Sequence, residues 1–143
     1  MINLEECVFD AENLLKEALI AKLHAYAPYS SFPVGAAILF EDNIIVSGCN
    51  VENGSYGLSI CAERNAMATA VREGRLRPLA IAIVGKEGKL CPPCGACRQF
   101  LSEFNCDMLV ILEEDCRPVI YKLSELLPLR FKLPGKGETK DDK

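Results

Sequence analysis

Leu79-Ala80-Ile81-Ala82-Ile83-Val84 is an unbroken apolar run of strand length, the pattern of a β-strand buried on both faces. A strand of that kind needs helices above and below it, so this stretch decides the fold class. Upstream, residues 61–73 read as a helix closed by Gly74. Downstream, Pro92-Pro93 enforces extended chain, residues 95–104 can form a second helix, and residues 108–112 give another strand. Two strand-helix-strand crossings of this sort imply parallel pairing. Residues 34–40 and 44–49 are apolar, β-rich runs separated by Glu41-Asp42-Asn43, the pattern of an antiparallel hairpin. Residues 119–121 add a short strand, and Ser124 is placed to cap a final helical turn.

At the N-terminal end, Leu4, Val8, Ala11, Leu15, Ala18, Leu19, Leu23 and Tyr26 recur at helical spacing, which predicts an amphipathic helix over residues 4–26. Asn3 would cap it, Glu6 would complete a capping box and Pro28 would stop it. The expected architecture is an α/β domain, a three-layer α/β/α sandwich around one mixed sheet of about five strands, over residues 1–133. From Pro134 the chain turns to Gly, Lys, Asp and Glu, so residues 134–143 are expected to form a disordered tail.

A chain of 143 residues that is 50% hydrophobic can bury a full core and needs no disulfide staples. Residues 1–15 carry Glu5, Glu6, Asp10 and Glu12 without a Lys or Arg, unlike a signal peptide. The expectation is a cytoplasmic protein whose eight cysteines are reduced and serve metal binding, catalysis or packing. No apolar run is long enough to span a membrane. The net charge of −4 argues against nucleic acid as a partner, because affinity for polyanions comes from Lys and Arg neutralising phosphates. A small neutral substrate fits better.

Cys94-Gly95-Ala96-Cys97 has the gap that lets two thiolates grip one zinc ion, although a redox dithiol or two core cysteines would fit the spacing equally. Cys61 weighs for the metal, because it too stands where a loop enters a helix, one crossover earlier. Helix N-termini lower thiol pKa values and stabilise anionic ligands. Three thiolates around a dication leave a net charge of −1, which Arg64 is placed to offset. Alternatively Arg64 is a solvated helix residue. A fourth thiolate from Cys91 would close the site and make it structural, but polyproline geometry through Pro92-Pro93 rises roughly 3.1 Å per residue and carries Cys91 away from Cys94. Cys7, Cys49, Cys106 and Cys116 read as small buried hydrophobes, and His24 as packing or surface. The fourth zinc position is therefore expected to be open to water. Glu63 alone would be an ordinary first-turn acid. Beside an open zinc site it becomes a proton carrier.

Gly48-Cys49-Asn50-Val51-Glu52-Asn53, Cys61-Ala62-Glu63-Arg64 and Pro93-Cys94-Gly95-Ala96-Cys97-Arg98-Gln99, in this order and spacing, resemble the small homotetrameric cytidine deaminases. Phe32-Pro33-Val34-Gly35-Ala36-Ala37 and Leu126-Leu127-Pro128, with Phe131 beyond, are similar to that family as well. The likeness runs from about Tyr26 to Phe131. It implies a hydrolase that converts cytidine and deoxycytidine to uridine and deoxyuridine in pyrimidine salvage, releasing ammonia, with one zinc ion per subunit. It implies that Glu63 protonates ring nitrogen 3 and then the amino group leaving carbon 4. Phe32 would lie against the ring, Asn50 and Glu52 would hold the ribose hydroxyls, and Ala62 would join the substrate contacts. If the segment is extended, the two-residue spacing of Asn50 and Glu52 points both side chains the same way. Tyr56 and Phe131 match positions that neighbouring subunits of a homotetramer contribute. The sequence departs from the family pattern at Pro92, where a small polar residue is expected, and at Gly54, where alanine is usual. Two other readings remain, a non-enzymatic zinc module closed by Cys91 and the same chemistry on a blasticidin-type or polynucleotide substrate. The acidic charge opposes polynucleotides, and Asn50 with Glu52 favours a ribose.

Overall fold

A computed structural model of the chain describes residues 2–4 and 7–134. The strand that opened the reading is β5, Pro78–Val84, third in a sheet ordered β4-β3-β5-β6-β7. β3 (Gly35–Phe40) and β4 (Ile45–Cys49) form the expected antiparallel hairpin, with Asn43 in the left-handed region at its turn. β6 (Leu109–Glu114) pairs with β5 in parallel, and β7 (Arg117–Lys122) closes the other edge antiparallel. Only one of the two crossings yields a hydrogen-bonded parallel pair. β4 and β5 run in the same direction, but β3 lies between them and is antiparallel to both. β4 takes one edge of β3 and β5 the other, which leaves the outer edge of β4 as the edge of the sheet.

Side chains alternate between two cores. Ala36, Ile38 and Phe40 of β3 join Ile81 and Ile83 of β5 against α2 (Ala62–Arg72), α3 (Gly95–Ser102) and α4 (Leu123–Leu126). Ala37 and Leu39 join Ala80, Ala82 and Val84 against α1 (Ala11–Lys22). The result is the expected three-layer sandwich with a mixed five-stranded sheet. Small residues let helices lie very close to it. A Cβ on Gly35 would sit 1.9 Å from the Ala18 carbonyl oxygen, and one on Gly48 would sit 2.6 Å from the Ala66 nitrogen.

The first helix differs from its expectation at both ends. It begins at Ala11, because the Asp10 carboxylate accepts hydrogen bonds from the backbone of Glu12 (3.0 Å) and Asn13 (3.3 Å) and outcompetes the weaker start at Asn3. The preceding chain instead pairs β1 (Ile2–Leu4) with β2 (Cys7–Phe9), so Leu4 and Val8 are strand residues, and Glu6 lies outside the described residues. The helix ends at Lys22 rather than Tyr26, because the Tyr26 N–H bonds the Asn50 carbonyl and its own carbonyl accepts from Glu52. His24 is exposed beyond the helix end. The last helical turn is flanked by Lys122 at its N-cap, not Ser124, which lies inside it and makes no cap bond. Most of the expected tail, residues 135–143, lies outside the described residues. Among the described residues, no helix is long and apolar enough to cross a membrane.

Overpacking a close helix-sheet contact costs about 1–3 kcal/mol. Gly48→Ala is therefore expected to destabilise the fold by about that amount and Gly35→Ala by more, both measured by denaturant unfolding. Gly57, where a Cβ would meet nothing within 4 Å, supplies the control: Gly57→Ala should change stability by less than about 0.5 kcal/mol.

Candidate active site

The topology brings the chemistry to one end of the sheet. Gly35 pairs with Cys49 at the end of β4 and with Val84 at the end of β5, so both strands finish side by side around it. The chain then leads from β4 into α2 and from β5 into α3, which places two helix N-termini at the same edge. Cys61 is the N-cap residue of α2 and Cys94 that of α3, both with extended backbone. Cys97 lies one turn into α3 and is fully buried. Gly95 between the two thiols is the first residue of α3, and a Cβ there would meet nothing within 4 Å, so the turn does not require a glycine.

The three sulfurs lie within 4.8 Å of one another, with Cys61 to Cys94 at 3.8 Å and Cys94 to Cys97 at 3.5 Å. A tetrahedral zinc ion with bonds of about 2.3 Å requires sulfur-sulfur edges of about 3.8 Å, so the donor set fits zinc as it stands. Among the described residues no other His, Cys, Asp or Glu joins this group. Cys91 is half-buried against the core and turned to a different neighbour, since a Cβ on Gly85 would lie 2.7 Å from its Sγ and 3.1 Å from the Phe32 ring. Burial pushes the Cys91 thiol up to about 11, which suits a packed thiol rather than a ligand.

Electrostatics separate the thiols. The Cys61 thiol is drawn down to about 5, first by its hydrogen bond with Cys97 and then by Arg64 and Cys94. Cys97 is pushed up by that same hydrogen bond and by burial, so Cys61 takes the negative charge of the pair. An Arg64 guanidinium nitrogen lies 3.7 Å from the Cys61 sulfur, while Nε is buried without a hydrogen-bond partner. The guanidinium therefore sets its positive charge beside the Cys61 thiolate. Glu63 is 5% exposed, and burial is the main cause of its raised pKa, with a hydrogen bond involving Cys97 opposing the rise. Ala62, between Cys61 and Glu63 in the chain, is fully buried.

Asn50 and Glu52 lie on an extended segment whose middle residue, Val51, bridges both Tyr26 and Ile60. Both side chains bond into the loop before β3. The Asn50 amide oxygen accepts from Val34 N–H (2.8 Å), and its nitrogen donates to the Phe32 carbonyl (3.0 Å). Glu52 Oε1 accepts from the backbone of Tyr29 (2.9 Å) and Ser30 (3.1 Å), and Ser30 Oγ donates to Oε2. Ser30 first, then burial and those backbone bonds, sets the balance that holds the Glu52 carboxyl below its ordinary range. Phe32 is 45% exposed, Tyr56 74% and Phe131 67%, so the aromatic positions face outward. Tyr56 makes an edge contact with Tyr29, and Gly54 leaves room for the Tyr29 hydroxyl, 3.1 Å from where a Cβ would be.

Two residues of the Cys97-Arg98-Gln99 run do work that spacing did not disclose. Arg98 donates to the Pro93 carbonyl (2.8 Å) and the Leu126 carbonyl (2.7 Å), tying the entry to Cys94 to the end of α4. Gln99 donates to the Phe131 carbonyl (3.0 Å). Their position just after Cys97 was the available signal, but Leu126 and Phe131 lie 28 and 32 residues away and are invisible to local reading.

Residues 9–113 match the cytidine and deoxycytidylate deaminase zinc-binding region. A cytidine deaminase of Halalkalibacterium halodurans is 46% identical over 126 residues, covering 85% of this chain and 94% of that protein. One from Mycobacterium tuberculosis is 45% identical over 122 residues, covering 85% of this chain and 90% of that protein. The crystal structure of cytidine deaminase from Burkholderia pseudomallei superposes with a TM-score of 0.82 at 40% identity, covering 86% of this chain and all of that one. By the deaminase region that spans residues 9–113 and by these relatives, each matched over most of its length, the chain belongs to the cytidine and deoxycytidylate deaminase family.

Proposed function

We propose that the protein hydrolyses cytidine and deoxycytidine to uridine and deoxyuridine with release of ammonia, a step of pyrimidine salvage in the cytoplasm. The observation that carries this reading is Glu63, a nearly fully buried carboxyl with a raised pKa, packed against a thiol triad of zinc dimensions that leaves one position open. Cys61, Cys94 and Cys97 would hold the ion. Bound zinc would supply Lewis-acid activation of water.

The chain's own residues carry the rest. Burial raises the proton affinity of Glu63 toward the range where it can both accept and return a proton. Glu63 takes a proton from the water whose oxygen adds to carbon 4 and gives it to ring nitrogen 3, then takes the remaining proton from that oxygen and delivers it to the amino group, which leaves as ammonia as its bond to carbon 4 breaks. Phe32 offers a ring face for the base. Leftover bonding capacity suits a sugar hydroxyl. A carboxylate has about four lone-pair sites, and Glu52 uses three within the loop, leaving an acceptor on Oε2. Asn50 keeps one N–H after donating to Phe32. A hydroxyl, which donates once and accepts, fits one group of each kind.

We further propose a homotetramer in which Tyr56 and Phe131 reach a neighbouring subunit's site. Leu58, Leu129, Phe131 and Leu133 are all more than half exposed, and apolar side chains so placed favour burial in an interface. Sedimentation equilibrium should give a mass near four chains.

Three outcomes test the reading. Zinc-loaded protein incubated with cytidine should release uridine and ammonia in equal amounts and leave single-stranded DNA and blasticidin unchanged; no turnover of cytidine would overturn it. Glu63→Gln should keep its zinc while kcat falls by about 10²–10⁴-fold, the range for losing a general acid-base group. Loss of the metal together with activity would instead make Glu63 structural. Chelation of the wild type, or Cys97→Ala, should lower bound zinc from about one per chain to near none, with zinc restoring activity only to the wild type.

A further inference from the structure

The loop before β3 contains a hydroxyl whose hydrogen-bond directions are fixed. The Phe32 N–H can only donate, and it points at Ser30 Oγ (3.0 Å). That oxygen must therefore accept on one side. Its single proton goes to the other side, to Oε2 of Glu52. Oε1 is already filled by two backbone N–H groups, from Tyr29 and Ser30, so Oε2 is the oxygen with capacity to spare. Ser30 thus touches the carboxylate at the atom that remains open to a ligand.

We propose that Ser30 is a positioning residue for nucleoside binding, joining Phe32 to Glu52 through one hydroxyl and orienting the Glu52 carboxylate toward a ribose hydroxyl. The proposal rests on the deaminase reading above and adds to it a residue that sets sugar recognition. Rotation about the last bond of a glutamate is broad and roughly two-fold and turns both oxygens together, so the two backbone bonds to Oε1 narrow the freedom of the carboxylate without a contact at Oε2 itself. The Ser30 hydroxyl supplies that contact before substrate arrives. Preorganisation of this kind lowers the entropy lost on binding and acts on KM more than on kcat. The same hydroxyl is the leading cause that holds the Glu52 carboxyl below its ordinary range, which favours the acceptor-only form. Because Phe32 bonds Asn50 through its carbonyl and Ser30 through its N–H, the ring position and both sugar-facing side chains share one network.

The substitution that tests this is mild. Ser30→Ala keeps both backbone bonds to Oε1, and the Phe32 N–H it releases lies in exposed chain where water can replace the lost acceptor. Zinc content and kcat in Ser30→Ala should stay close to wild type, while KM for cytidine rises about tenfold, as expected for one lost charge-assisted hydrogen bond. Ser30→Thr, which retains the hydroxyl, should restore KM to within about twofold of wild type. With 2′,3′-dideoxycytidine, which keeps the 5′-hydroxyl but lacks the 2′ and 3′ hydroxyls toward which Glu52 is oriented, wild type and Ser30→Ala should differ in KM by less than about twofold. An unchanged KM for cytidine in Ser30→Ala, an equal rise with the dideoxy substrate, or no recovery in Ser30→Thr would each overturn the assignment. Wild-type protein that leaves cytidine intact would overturn the deaminase reading and this inference with it, whereas turnover by the wild type with any of those three results overturns Ser30 alone.

Discussion

Three thiol sulfurs within 4.8 Å of one another repel once ionised, and the architecture at this end of the sheet serves to hold them together before a metal can. The hairpin puts β3 between two strands that run in the same direction, so their following helices start at one edge. Each start contributes a thiol at its N-cap, where unpaired N–H groups and the helix dipole favour negative charge. Close packing then removes slack. α2 lies against β4 at Gly48, and Arg98 fixes the approach to Cys94 by bonding both the Pro93 carbonyl and the last residue of α4.

Charge balance follows from the same geometry. Arg64 projects back from the first turn of α2 to the Cys61 sulfur, so the residue that offsets excess thiolate charge is carried by the helix that creates it. Glu63, its neighbour in sequence, is directed inward, and its burial separates it from the solvated acids elsewhere on the chain. Adjacent residues on one helix turn therefore have opposite tasks, one facing the thiolate and one the reaction space. Cys91 completes the contrast. It is a thiol close in sequence to two of the triad, yet packing turns it toward Gly85 and Phe32, which keeps it out of the triad.

The loop before β3 is built from the other direction, by side chains that reach it from the segment after β4. Asn50 and Glu52 bond four backbone N–H or carbonyl groups of residues 29–34 between them, and Ser30 closes the network. An exposed loop held by charge-assisted bonds to an extended segment can present groups to a small molecule without ordering on contact. The same logic explains why α1 stops at Lys22: Tyr26 is taken up by this segment through two backbone bonds.

Much of this was legible in the chain itself. The apolar run at residues 79–84, the hairpin and the second and third helices are local patterns, and the structure has them within a few residues of their expected bounds. Cys61, Glu63, Cys94 and Cys97 were readable as a set because metal chemistry demands particular residue types at helix starts. What escaped was decided by competition between distant groups. Asp10 overrode Asn3 as a cap only once the preceding residues paired as strands, and β3 separated β4 from β5 because hydrogen-bond edges fill in an order that periodicity does not encode. Arg98 and Gln99 stand in the sequence only as part of a family-like motif and Ser30 carries no local signal, since their partners are set by tertiary contact. The sequence by itself determined which residues could bind a metal and carry a proton, because those properties belong to side-chain chemistry. Only the tertiary structure decided which of the thiols meet and which atoms remain free for a ligand, because both depend on where the close-packed helices and the shared backbone hydrogen bonds leave them.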